Sequence, residues 1–88
     1  MGKTKITQEE LKNVLTAGLK LKDPVFKLEH HGTKVSGSIV SDTFAGWDDA
    51  RRQHEIWNTL KKEYNSDSVA LIGVLLAYTT TEWNVVLD

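Results

Sequence analysis

Residues 34–64 read KVSGSIVSDTFAGWDDARRQHEIWNTLKKEY, a short alternating segment that turns sharply into the one long helical pattern of the chain. Val35, Gly37 and Ile39 alternate with Ser36, Ser38 and Val40, the period-two signature of a strand. Asp42 or Thr43 can cap the helix that follows. Asp48 and Asp49 stand in its first turns and Lys61 and Lys62 near its end, the charge order that complements a helix dipole. Ala50, Trp57, Leu60 and Tyr64 fall on one side at roughly 100° per residue, so that side is expected to face a sheet. Asn65, Ser66 and Asp67 then break the pattern.

Upstream, Thr7 with Glu10 forms a capping box, and Ile6 with Leu11 a hydrophobic staple, which predicts a helix beginning at Thr7. Leu11, Val14, Leu15 and Leu19 continue it, and Gly18 with the turn Lys22-Asp23-Pro24 predicts an end near Lys20. From Val25 to His31, Phe26 and Leu28 alternate with Lys27 and Glu29. Gly32 and Thr33 then turn this strand into the one at Val35, a hairpin with His30 and His31 at its tip.

Downstream, Val69 to Tyr78 is apolar on both faces, with Leu71, Leu75 and Ala77 on one and Ile72, Val74, Leu76 and Tyr78 on the other. A central or parallel-paired strand reads this way. Thr79 with Glu82 opens a terminal turn carrying Trp83. The expected architecture is a single α+β domain over residues 1–88, of order αββαβ. Helices should pack on one face of a three-stranded mixed sheet, the other face being left for the tail or for a partner.

Composition narrows the function classes. A net charge of −1 lacks the positive field of a general nucleic-acid binder. The absence of cysteine excludes disulfides, a thiolate zinc site, a cysteine nucleophile and an iron–sulfur cluster held on the chain's own thiolates. The amino-terminal residues lack the apolar core of a secretory signal, and the longest apolar run, Val69 to Ala77, is too short to cross a bilayer. The expectation is a soluble protein away from membranes, cytoplasmic by default, with an organelle left open because a removed transit peptide leaves no trace. No Ser/His/Asp order, phosphate-cradling glycine loop or histidine-rich metal motif supports catalysis, so the chain is not expected to be an enzyme.

Three stretches together resemble the BolA family: Val40-Ser41-Asp42-Thr43-Phe44-Ala45-Gly46, then Arg52-Gln53-His54-Glu55-Ile56 with Leu60, then Ala77-Tyr78-Thr79-Thr80-Thr81-Glu82-Trp83. They follow one another on the elements where that family carries its V-S-x-x-F-x-G turn, its Arg-His segment and its Thr-Pro-Glu-Glu-Trp-like ending. The resemblance implies a class II KH-like αββαβ fold, in agreement with the element order above. It also implies a non-enzymatic adaptor that pairs with a monothiol glutaredoxin in iron–sulfur trafficking or iron regulation, with a [2Fe-2S] cluster shared with glutaredoxin and glutathione. Links to DNA binding and stress-response transcription belong to the same family.

By resemblance, His31 occupies a ligand position in the hairpin loop, whereas the family's last-strand histidine falls on Leu71, which cannot bind iron. Gln53 stands where the family has histidine, with His54 one residue later as the other candidate metal or cluster ligand. Cluster sharing is therefore expected to be weak or absent. His30 and His31 are neighbours on a strand, so their side chains point to opposite faces and do not share a metal. One imidazole is far short of a coordination set.

The edge bearing Trp47, Arg51 and His54 is the candidate partner surface, Trp47 being an anchor beside the helix start. His54 itself reads as a boundary residue packing on Trp47 or Trp57. Arg51, Arg52, Lys61 and Lys62 carry the alternative, a KH-like nucleic-acid or transcription-linked function, but Asp48, Asp49, Glu55 and Glu63 are interleaved with them. The turn Phe44-Ala45-Gly46-Trp47 also lacks the Gly-x-x-Gly loop with which KH domains clamp a backbone. A homodimer through the apolar face of Val69 to Tyr78 is the third alternative.

Overall fold

A computed structural model describes residues 6–87. The elements are α1 (Gln8–Leu19), β1 (Val25–His31), β2 (Lys34–Val40), a 3-10 turn (Asp42–Phe44), α2 (Asp49–Glu63), α3 (Ser66–Val69), β3 (Ile72–Tyr78) and α4 (Thr80–Leu87).

Helix α1 starts where its cap predicts, the Thr7 hydroxyl accepting from the Glu10 amide at 3.1 Å. It runs through Gly18 and ends at Lys20, which takes the left-handed conformation (φ 53°). Gly18 is small for a packing reason: a side chain there would collide with Thr59 on α2. The two helices thus approach closely at that point.

Helix α2 begins later than the sequence suggests. Ser41, not Asp42 or Thr43, caps the local structure after β2, and what it caps is the 3-10 turn. Gly46 then adopts φ +82°, a conformation that favours glycine, and Asp48 caps α2 by accepting from the Arg51 amide at 2.8 Å. The later start sets which side chains α2 buries. Arg52, Ile56 and Leu60, four residues apart, face inward; Ala50 is exposed in the first turn, and Trp57 and Tyr64 are half-buried on the flank.

The sheet order is β1-β2-β3, with β1 and β2 antiparallel and β2 and β3 parallel. β3 is therefore parallel-paired, but it lies at an edge and not in the centre. It starts at Ile72 and not Val69, because Asn65 caps the short α3 turn, accepting from the Ser68 amide at 2.8 Å. The pairing shifts register between Val35 opposite Ile72 and Gly37 opposite Leu75, a bulge on β3. The bulge re-aims side chains, so that Ile72, Leu75 and Ala77 are all buried, where strict alternation had placed Ile72 on the opposite face. Val74 and Leu76 remain outside.

α1 and α2 close the core over the sheet, with Leu11, Leu15, Val35, Ile39, Phe44, Ile56, Leu60 and Leu75 fully buried. On the remaining face, the row Val25, Val40 and Tyr78 ends on α4, whose Trp83 ring lies 5.3 Å from that of Tyr78.

Candidate functional site

The three sequence stretches that carry the resemblance meet at one end of the sheet. Ser41 donates its hydroxyl to the Lys22 carbonyl at 2.8 Å, and Thr43 Oγ1 accepts from the Lys22 amide at 2.8 Å, fastening the α1–β1 connection. Asp42 accepts from the Thr80 amide at 3.1 Å and so reaches the start of α4. Phe44 fills the core beneath.

Arg52 is the knot. Only 6% exposed, it donates from Nε to the Trp47 carbonyl at 2.9 Å, from Nη2 to the Phe44 carbonyl at 3.0 Å, and from Nη1 to the Ala77 carbonyl at 3.1 Å. Both terminal nitrogens also reach Glu82, at 2.6 Å and 3.2 Å, in a forked pair. A guanidinium has five N–H donors in a rigid plane, and these bonds use all of them. Glu82 is shared too. It accepts from the Thr79 amide at 2.8 Å, while its own amide donates to Thr79 Oγ1 at 3.2 Å, a reciprocal capping box for α4. Hydrogen bonds from Arg52, then that from the Thr79 amide, lower its pKa from 4.5 to about 2.

The neighbouring Arg51 has the opposite environment. It is exposed, and its guanidinium lies 4.1 Å from the centre of the half-buried Trp47 ring. Trp47 in turn meets Phe44 edge-on, ring centres 5.7 Å apart. The anchor is thus packed against the core on one side and covered by a cation on another, and remains half-buried. His54, one turn along α2, is exposed and pairs with Asn58 at 2.9 Å, where packing on a tryptophan was expected. Trp47, Arg51 and His54 lie at the amino-terminal half of α2 as a side-chain surface.

The basic group read from the sequence does not survive as a unit. Arg52 is buried and fully bonded within the chain, so it has no donor left for a phosphate. Arg51 and the exposed Lys61 and Lys62 stand about three helical turns apart on α2.

At the other end of the sheet, His31 is exposed and its Nε2 lies 3.3 Å from a Glu29 carboxylate oxygen. It pairs with Lys34, and the Val35 amide next along β2 donates to the Leu71 carbonyl at 2.9 Å. The two ligand positions implied by resemblance thus share this end of the sheet, yet the Leu71 side chain is half-buried against the core. His30, on the helix-facing side of the hairpin, bonds the Ile6 carbonyl through Nε2 at 3.3 Å and the Gln8 side-chain Nε2 through Nδ1 at 3.2 Å. Among the described residues no group of three or more His, Asp or Glu side chains is placed to hold a metal ion. The knot between Arg52 and Glu82 escaped the sequence reading. Its one signal was the Thr79-x-x-Glu82 capping box.

No protein-family model and no curated protein matches the sequence. Solved structures do. A bolA protein homologue from Coxiella burnetii is similar at a TM-score of 0.64 and 24% identity, over 90% of this chain and 97% of that one. BolA1 from Arabidopsis thaliana follows at 0.65 and 18% identity, over 84% and 92%. A bol-like protein from Babesia bovis is similar at 0.63 and 17%, over 94% and 95%. At these identities the likeness establishes the fold, a BolA-type α+β architecture.

Proposed function

We propose that this chain, built on the BolA fold, is a non-enzymatic adaptor that docks on a monothiol glutaredoxin, with Trp47, Arg51 and His54 and the hairpin tip as its contact surface. The observation that carries this reading is the likeness to BolA structures over nearly the whole chain. The stacked Trp47–Arg51 pair supports it, being a half-buried aromatic, seated on the core, that carries an exposed cation. Glutaredoxin and glutathione would supply the thiolates of any shared [2Fe-2S] cluster. Among the described residues the side chains do not fit a ligand set: His31 has Glu29 alone beside it, and Leu71 offers no donor. Cluster sharing is accordingly weak or absent, and the complex is of the apo type.

Mixing the chain with a monothiol glutaredoxin and glutathione, with and without iron and sulfide under anaerobic conditions, tests both parts. A heterodimer is expected by size-exclusion chromatography in either case. Trp47→Ala and Arg51→Ala should each weaken it about tenfold, as loss of an interface anchor worth about 1.4 kcal/mol does. Absence of any complex would sink the adaptor reading. A visible spectrum altered by His31→Ala would sink weak cluster sharing alone.

A further inference from the structure

β3 is an edge strand, beyond which the sheet has no neighbour among the described residues. The Tyr78 carbonyl faces β2 and accepts from the Ser41 amide, so by strand alternation the carbonyls of Leu75 and Ala77 face the open side. Their neighbours Val74 and Leu76 are 63% and 44% exposed. An apolar, exposed edge of this kind is a template for strand addition. It is also self-complementary: an antiparallel two-fold through Leu75 would set Val74 of one copy against Leu76 of the other, giving both side chains an apolar cross-strand partner.

Yet both carbonyls are already occupied. Gln53 donates from Nε2 to the Leu75 carbonyl at 2.7 Å, and Arg52 from Nη1 to the Ala77 carbonyl at 3.1 Å. The Gln53 amide can be turned only one way, because Trp57 Nε1 donates to its Oε1 at 3.1 Å and an indole nitrogen never accepts. Trp57 thus aims the Gln53 NH2 group at the strand. An incoming strand would have to break these side-chain bonds before forming its own ladder.

We propose that Gln53, oriented by Trp57 and seconded by Arg52, is an edge guard that closes β3 against pairing with a second copy of this chain. Arg52 is committed elsewhere in the fold, so Gln53 is the removable half of the device.

Sedimentation over a concentration series, with circular dichroism to verify folding, tests this on the full chain. The wild type should remain monomeric. Gln53→Ala should shift to twice the monomer mass, and so should Gln53→Glu, which keeps the acceptor for Trp57 and nearly the same volume but sets an oxygen against the Leu75 carbonyl. Adding Val74→Lys to either should restore the monomer, since a lysine on an edge opposes pairing. Should Gln53→Ala fail to fold, Gln53→Glu decides. Folded, monomeric Gln53 variants would overturn the proposal. So would a dimer indifferent to Val74→Lys, or a wild-type dimer that Val74→Lys dissolves.

Discussion

The two ends of the sheet are built differently. At the end where β2 and β3 finish, Ser41, Asp42, Thr43, Arg52 and Glu82 bind five separate segments to one another with side-chain hydrogen bonds. At the hairpin end, the His31 side chain pairs among the described residues with Glu29 alone, and the two side chains are 69% and 75% exposed. Residues that the resemblance groups together therefore fall into two kinds. Those in the knot hold the fold, and their presence says little about partners. Among the described residues His31 is bonded by its side chain only to its strand neighbour Glu29, which leaves it exposed to a partner. Arg51 and Arg52 repeat the contrast one residue apart, the first outward on Trp47 and the second spent inside.

The contrast is broken most directly at Arg52. Arg52→Ala strips the donors from three backbone carbonyls, two of them buried, and should cost about 2–4 kcal/mol, as leaving buried acceptors unmet does, while the half-exposed Glu82 is left to water. Urea unfolding measures it. Arg52→Lys should recover little, since one ammonium cannot span four acceptors in a plane. A variant within about 1 kcal/mol of wild type would show that the knot is ornamental.

Glu82 gives a smaller effect with a pH signature. Its pKa is lowered in the fold to about 2, from 4.5, so its contribution is fully present above 4.5 and is lost as pH falls through about 2. Glu82→Gln retains a capping side chain for Thr79 but not the charge. The stability gap between wild type and Glu82→Gln should hold at neutral pH, narrow below 4.5 and close near 2. A gap independent of pH would mean that packing of α4, not the ion pair, is what the substitution removes.

Much of this fold was readable because local signals and tertiary packing agree. The Thr7 cap, the hairpin turn and the period-two strands each specify their element within a few residues. The failures have definite causes. A 3-10 turn competed with α2 for the same caps, so the helix starts at Asp49 and its buried stripe is Arg52, Ile56 and Leu60. The bulge opposite Ser36 broke the alternation of β3 and sent Ile72 inward. Arg52 looked like part of a basic face because a sequence shows a charge but not the carbonyls that converge on it. Trp47 and Arg51 were legible as neighbours because they stand four residues apart at a helix start, and the guanidinium does lie over the ring.

The smallest expected effect lies between the two hairpin histidines. His30 and His31 are neighbours in sequence on opposite faces of β1. His30 reaches across to the start of α1, bonding the Ile6 carbonyl and the Gln8 side-chain amide, so His30→Ala should cost about 0.5–1.5 kcal/mol. Among the described residues His31 gives up a solvent-exposed contact with Glu29 alone, and His31→Ala should stay within about 0.5 kcal/mol of wild type in the same urea titration. The difference rests on geometry alone, since the residue type, the strand and the turn are common to both. Equal losses at the two positions would mean that the hairpin tip takes part in the fold, and the division between a structural end and a free end of the sheet would fall.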